Sequence, residues 1–196
     1  MSSREKILAA VKTNQPALQQ LPSATALTPV QYDDRFQQFS TILKGIGGNI
    51  VVVKNTNEII AYVKNNFNGQ EHFVTTLTEL PEIPLLDEKL SPHFLENIEL
   101  AIVKALFAVA ENGAIWLTEK EVKIRALPFI CQHLAVLLQK KDIVSNMAEA
   151  YELIGTAAYD FGVFIAGPSK TADIEQSLVL GAHGPKTMTV FVLTDE

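Results

Sequence analysis

The side chains best suited to chemistry are concentrated near the carboxyl end of the chain, between two apolar runs. Residues 167–175 read Gly-Pro-Ser-Lys-Thr-Ala-Asp-Ile-Glu, and residues 181–185 read Gly-Ala-His-Gly-Pro. Hydroxyls, a lysine, carboxylates and a histidine can bind anions and move protons. Because the flanking runs 161–166 and 187–193 predict strands, this stretch is expected to form a site at the end of a sheet.

An anion is the ligand that this stretch favours. A short helix is predicted over residues 172–180, and Ser169, Thr171 and Asp173 are all suitable capping residues for it. The first turn of a helix exposes free N–H groups, and Lys170 adds a full positive charge. The alternative is a well-capped helix with Lys170 in solvent. The residues predicted to bind a carboxylate or phosphate here are Gly167, Ser169, Lys170, Thr171, Asp173 and Gly184.

Three further side chains could take part in chemistry. His183, in a tight Gly-Ala-His-Gly-Pro turn, could act as an acid–base group or could fix the turn through a backbone carbonyl. Glu111 lies between two apolar runs, where it could be a nucleophile or base, or a solvated turn residue. Arg125 could bind an anionic ligand or pair with a carboxylate.

Helices and strands alternate in the first half of the chain, which indicates an α/β fold with a mostly parallel sheet. Helices are predicted at 3–12, capped by Ser3, at 30–43 and at 57–67, and strands at 49–53 and 73–76. Residues 1–29 are interpreted as a helix and linker, and residues 30–196 as one domain. Glycines 45, 47 and 48 follow a helix and precede a strand, so they predict a helix end rather than a phosphate loop.

The middle of the chain predicts short strands at 99–103, 107–110 and 114–118. Asn112-Gly113 is the strongest short hairpin signal, since both residues tolerate positive φ. A helix over 95–110 is the competing interpretation. A strand at 133–138 and a helix at 147–159 complete the predicted elements.

Composition narrows the function. The 196 residues carry a net charge of −6 without a basic block, which argues against nucleic acid as a partner. The single cysteine, Cys131, allows no intrachain disulfide and no zinc or iron–sulfur site, and it is expected in the core. His72, His93 and His133 lack metal-ligand spacing, so no metal is predicted. No membrane span or signal peptide is recognised, and a cytoplasmic protein is expected.

Three segments resemble the LUD-domain family of the lactate-utilization protein C type. The first is the carboxyl-terminal stretch described above, with Leu178-Val179-Leu180 before its Gly-Ala-His-Gly-Pro turn. The second, residues 107–114 (Phe-Ala-Val-Ala-Glu-Asn-Gly-Ala), is similar to the family's A-E-T-G-T turn. The third, residues 125–128 (Arg-Ala-Leu-Pro), is similar to its R-x-L-P segment. The resemblance extends over nearly the whole chain.

The resemblance implies a NagB/RpiA/CoA-transferase-like α/β fold with an inserted β-hairpin region. It also implies a part in oxidising L-lactate to pyruvate, with iron–sulfur clusters in partner subunits and no cofactor in this chain. The sequence departs from the family at Asn112 and Ala114, where threonines are usual, and at Lys170, where arginine is usual; lysine keeps the charge without the bidentate fork.

Two other function classes remain open. One is a stand-alone transferase, isomerase or hydrolase acting on a phosphorylated sugar or CoA thioester, with Glu111 as nucleophile or base. The other is a non-catalytic scaffold or regulator. A homo-oligomer is compatible with each of these functions.

Overall fold

The structure is a computed structural model that describes residues 2–19, 28–67, 72–89, 91–172 and 178–194. The helices in these ranges are α1 (Ser3–Thr13), α2 (Arg35–Gly45), α3 (Thr56–Asn66), α4 (Glu119–Val122), α5 (Leu127–Ile130) and α6 (Met147–Ile154). The strands are β1 (Asn49–Val53), β2 (Phe73–Thr75), β3 (Leu100–Lys104), β4 (Phe107–Val109), β5 (Ile115–Thr118), β6 (His133–Gln139), β7 (Ile143–Val144), β8 (Gly162–Ile165), β9 (Lys170–Ala172), β10 (Leu178–Leu180) and β11 (Thr187–Leu193). Short 3-10 helices lie at Pro92–Asn97 and Lys140–Asp142.

The central sheet has five parallel strands in the order β1-β11-β6-β3-β2. Its middle strands are continuous apolar runs, as expected of parallel strands covered on both faces. In β6, for example, the five residues between His133 and Gln139 are all buried. The predicted α/β fold with a mainly parallel sheet is therefore confirmed.

The two faces of the central sheet pack against different layers. Side chains of β6 alternate between them, because successive residues of a strand point in opposite directions. Leu134, Val136 and Leu138 share one core with Phe39 of α2 and with the second sheet. Ala135 and Leu137 face α3 and the loop that follows β2.

The second sheet has the strand order β7-β4-β5-β8 and contains the predicted hairpin. Strands β4 and β5 pair antiparallel through Phe107 with Trp116 and Ala108 with Ile115. Its inner side chains join the core shared with the central sheet, and its outer side chains pack with Ala150 of α6. The competing prediction of a helix over 95–110 is wrong, since β3 and β4 occupy half of that range.

Several helix boundaries differ from the sequence predictions. Helix α2 begins at Arg35, because Asp34 accepts a hydrogen bond from Gln37 N and caps it. Helix α6 ends at Ile154, where Gly155 has a φ of +51°. The short helices α4 and α5 were not predicted, since four residues are too few for a helical apolar period.

The prediction of a helix over residues 172–180 is wrong for the residues that the structure describes. Lys170–Ala172 and Leu178–Leu180 form an antiparallel pair, with Thr171 opposite Val179. β-Branched residues at both of these positions favour extended backbone. Residues 173–177 lie outside the described ranges, so the anion site at a helix N-terminus stays a prediction.

Helix α1 is exposed along its whole length. Ser2, rather than Ser3, caps it: the Ser2 hydroxyl accepts a hydrogen bond from Glu5 N, and the Glu5 carboxylate accepts one from Ser2 N. Ile7, Leu8 and Val11 form an apolar stripe that is more than half exposed. In the described ranges, no helix is both long and apolar enough to cross a membrane.

Candidate functional site

The carboxyl-terminal stretch forms one wall of an open cleft of about 300 Å³. The cleft lies at the amino ends of β6 and β11. Ser169 N donates to Pro185 O at 2.9 Å, and Lys186 N donates to Gln132 O at 2.8 Å, which joins the loops preceding these strands. Of the predicted site residues, the cleft brings together Gly167, Ser169, Lys170, His183 and Gly184.

Lys170 places a positive charge at this cleft. Its Nζ would lie 3.1 Å from a Cβ built on Gly47, so the ammonium group packs against the backbone just beyond the end of α2. A helix carboxyl end carries partial negative charge, which favours a cation there. Among the described residues, the ion pairs join Lys64 to Glu82 and Lys123 to Glu88 and do not include Lys170. As far as the described residues are concerned, the Lys170 ammonium is thus available to pair with an anionic ligand.

Ser169 and His183 supply the polar groups beside this charge. The backbone of Ser169 is held on both sides, since its N–H donates to Pro185 and its carbonyl accepts from Gly181 N at 3.1 Å. Gly184 approaches it closely, and a Cβ at position 184 would lie 3.1 Å from Ser169 Cβ. His183 is exposed on the same cleft. Ser169, His183 and Lys170 therefore line one small cleft.

Gly167 fixes the corner where the cleft meets the second sheet. Its φ is +73°, and a Cβ there would lie 3.1 Å from Ile46 O. Gly113, in the β4–β5 turn, contacts the same Ile46 side chain. The turn that carries Glu111 therefore reaches the same corner as Gly167, as expected from the pairing of β5 with β8.

Glu111 itself is directed toward α6. Its Oε2 accepts a hydrogen bond from Met147 N at 2.9 Å, and its own N–H donates to Ser145 O at 3.0 Å. Glu111 is absent from the residues that line the cleft. This geometry gives the carboxylate a helix-capping role and offers no support for a nucleophile.

Replacing Glu111 by glutamine should lower the free energy of unfolding by about 0.3–1 kcal/mol, because a charge at a helix N-terminus is lost while an acceptor oxygen remains. Urea unfolding measures the change. Glu152→Gln is the matched control, since Glu152 lies in the last turn of α6 and its removal should not destabilise. Unchanged stability in Glu111→Gln, together with lost function, would point to a chemical role instead.

Arg125 does not line the cleft. Its guanidinium lies 5.7 Å from the Phe161 ring centroid, a cation–π distance. The pKa of Glu119 is lowered mainly by the N–H of Asp160, which donates to Oε1 at 3.0 Å. The positive charge of Arg125 lowers the same pKa further. Arg125 and Glu119 together hold the chain that enters β8.

Two predicted ligand residues have other settings. Thr171 lies in β9, where its Oγ1 donates to Val179 O at 3.3 Å, and it is outside the cleft lining. Asp173 lies outside the described ranges.

The cleft therefore contains five of the predicted residues. It also has an apolar wall that was not predicted, formed by Pro128, Phe129 and Phe164. Pro128 belongs to the R-x-L-P segment, and Phe129 directly follows it.

His133 joins the starts of β6 and β11. Its Nδ1 lies 2.7 Å from Thr187 Oγ1, and Phe67 contacts its ring edge. Burial lowers the pKa of His133, and the charge of Lys186 acts in the same direction, while Glu99 opposes it. The folded protein therefore holds this imidazole neutral more strongly than the unfolded chain does.

The free energy of unfolding should consequently fall as the pH drops below about 6.5, the ordinary pKa of a histidine in the unfolded chain. The sign follows because the unfolded state binds the proton more readily. Urea unfolding at about pH 7.5 and about pH 5.5 should show a smaller loss for His133→Gln than for the parent protein. An equal loss in both proteins would contradict the assignment to His133.

Cys131 packs in the core, as predicted. It is 1% exposed, and burial raises the pKa of its thiol to about 12. Across the described ranges, no three His, Cys, Asp or Glu side chains are grouped so that they could hold a metal ion.

Comparison with known proteins identifies the family. The sequence model of the LUD domain matches residues 36–193. Lactate utilization protein C of Shouchella clausii is 32% identical over 148 residues, which cover 70% of this chain and 63% of that protein. Lactate utilization protein C of Bacillus pumilus is 34% identical over 113 residues, covering 52% and 47%. The chain thus spans about half to two thirds of the length of these curated relatives.

A solved structure agrees with the fold. The crystal structure of a DUF162 family protein from Deinococcus radiodurans superimposes with a TM-score of 0.65 over 84% of this chain and 99% of that one. Their sequences are 17% identical, so this likeness concerns the fold alone. Because the LUD domain model covers most of the sequence, this protein belongs to the LUD domain family.

Proposed function

We propose that this protein acts in lactate utilization by binding a small carboxylate in the Lys170 cleft, defined by residues 164–170, 183–185, Pro128 and Phe129. The names of the relatives in Shouchella clausii and Bacillus pumilus support the process. The ligand class rests on the cleft itself. The single observation that carries the proposal is the Lys170 ammonium at the cleft, without a carboxylate partner among the described residues.

The chemistry of lactate fits these groups. The Lys170 ammonium would pair with the carboxylate, and Ser169 would donate a hydrogen bond to it. His183 would accept a proton from the substrate hydroxyl. The cleft is small, and its apolar wall, which includes Phe129 and Phe164, would contact the methyl group.

The proposed reaction is oxidation of L-lactate to pyruvate, which releases two electrons and two protons. We place the electron acceptor in iron–sulfur partner proteins. Thiolates are the usual ligands of such clusters, whereas this chain has a single cysteine, which is buried. The chain would thus contribute substrate binding and proton transfer, and its partners would contribute electron transfer.

Isothermal titration calorimetry of the purified chain tests the binding step. L-Lactate and pyruvate should bind saturably with a Kd of about 1 mM or tighter, in the range typical of enzyme substrates. Acetate serves as a control that carries the carboxylate charge but lacks the hydroxyl or keto oxygen of lactate and pyruvate. It should bind more weakly. Absence of any saturable heat with both L-lactate and pyruvate would contradict a carboxylate site in this chain.

A further inference from the structure

A second, mostly apolar cavity in the described part of the chain lies away from the Lys170 cleft. This Trp116 cavity, about 540 Å³, has Phe107 and Trp116 as its floor and Leu106, Leu153 and Tyr159 at its sides. Ligand sites typically enclose roughly 300–1,000 Å³ and have mostly apolar linings. None of the residues predicted to form a site lies in it.

The position of the cavity in the fold suits a ligand. Leu106 follows the carboxyl end of β3, and Asp142, which also lines the cavity, follows that of β6. In parallel α/β sheets, ligands bind outside the carboxyl ends of the strands. The Lys170 cleft opens at the opposite ends of these strands, and Phe164, which lines that cleft, also packs against the Trp116 ring.

The floor of the cavity is aromatic. The ring centroids of Trp116 and Phe107 are 6.3 Å apart with an angle of 21° between the ring planes, and the centroids of Phe164 and Trp116 are 4.5 Å apart. Gly162 makes room for the indole, because a Cβ there would lie 2.4 Å from the Trp116 ring. Both floor residues are 6% exposed. The accessible aromatic surface therefore comes mainly from Tyr159, which lines the cavity, is 41% exposed and packs in a T-shaped arrangement with Trp116.

The sides of the cavity leave apolar surface in water. Leu106, Leu153 and Tyr159 are each 41–60% exposed, so a bound ring would cover apolar area mainly at the sides. The charges around it cancel formally, since Lys120 and Lys141 line it together with Glu121 and Asp142. Glu121 already accepts hydrogen bonds from the Thr118 N–H and hydroxyl. This balance favours an uncharged ligand.

We propose that the Trp116 cavity binds an uncharged, planar aromatic compound of about two fused rings. The aromatic rings that line the cavity, Tyr159 above all, select planarity, and polar groups among the lining residues would form hydrogen bonds with a hydroxyl or carbonyl substituent. The site is separate from the carboxylate site, so either can fail without the other.

The test uses 1-naphthol and its saturated analogue decahydro-1-naphthol, which has the same carbon skeleton and hydroxyl but is not planar. Trp116 is the only tryptophan of the chain, so its indole N–H gives a single assignable NMR signal. 1-Naphthol should shift this signal and bind about three- to ten-fold more tightly by calorimetry, the difference expected from aromatic contacts. Equal affinities, or an unshifted indole signal, would overturn the proposal.

A pair of variants locates the binding. Ala157→Phe should weaken 1-naphthol binding about ten-fold or more, because residue 157 lines the cavity. Thr156→Phe introduces the same side chain at the adjacent exposed position, outside the lining, and should bind as the parent does. Both positions are exposed, so both variants should fold, which the melting temperatures check. Unchanged binding in Ala157→Phe would also overturn the proposal.

Discussion

Gly167→Ala should destabilise the protein by about 2–4 kcal/mol. The φ of +73° at Gly167 costs a side-chain-bearing residue about 1–3 kcal/mol. The added Cβ would also lie 3.1 Å from Ile46 O and from Ile46 Cγ1, and crowding of this kind adds a similar amount. Neither contact can relax cheaply, because one is backbone and the other side chain is packed against the core.

Thermal unfolding measures this effect. For a protein of this size the loss corresponds to a drop in Tm of about 5–15 °C. Gly45→Ala is the matched control, since Gly45 ends α2 with no atom within 4 Å of an added Cβ. That control should be neutral or slightly stabilising, because alanine favours helix. A Tm for Gly167→Ala close to that of Gly45→Ala would show that the corner tolerates a side chain.

Lys170→Met should weaken L-lactate binding about ten- to a hundred-fold. Methionine has a similar length but lacks the charge, and a hydrogen bond to a charged group contributes about 1.5–3 kcal/mol. Calorimetry of the variant gives the change directly. Stability should change little, because the Lys170 side chain is exposed and makes no ion pair with other described residues.

Lys104→Met is the control for net charge. Lys104 is also exposed, but it lies at the carboxyl end of β3, whereas the cleft is at the amino end of the central sheet. Its loss should leave lactate affinity unchanged. Equal weakening in both variants would indicate a general charge effect, and no weakening in Lys170→Met would remove Lys170 from the site.

Apolar patterning was sufficient to predict the central sheet. The buried runs of β6 and β11 are uninterrupted, β1 is a run of β-branched residues at the sheet edge, and the Asn112-Gly113 pair marks a hairpin through its local backbone preference. These signals are local, so they can be recognised without knowledge of the tertiary structure. The order of strands in the sheet is a long-range property and was not predicted.

The hairpin of β9 and β10 shows where local signals misled. Ser169, Thr171 and Asp173 have helix-capping character, but the backbone of Ser169 is held by Pro185 and Gly181 in an extended path. Pairing of Thr171 with Val179 then decides the conformation, and this pairing depends on residues eight positions apart. Capping propensity is weaker than such pairing.

Only those parts of the candidate site that lie close together in sequence could be predicted, because contacts between distant segments leave no local signal. Residues 167–170 and 183–184 are close in sequence, so their meeting in one cleft could be expected. Phe129 comes from a distant segment, directly after the R-x-L-P residues, which the sequence does not connect with the cleft. Glu111 was expected near the ligand, yet the start of α6 offers its carboxylate an N–H from Met147. The relative position of α6 and the β4–β5 turn cannot be read from either segment alone.

Growth on L-lactate tests the proposed function most directly. A host lacking the gene should fail to grow with L-lactate as the sole carbon source and should grow normally on glucose. The parent gene should restore growth, Lys104→Met should restore it equally, and Lys170→Met should not, although immunoblotting should show both variants at parental levels. Normal growth of the deletion strain on L-lactate, or full restoration by Lys170→Met, would contradict the proposal that the Lys170 cleft serves lactate utilization.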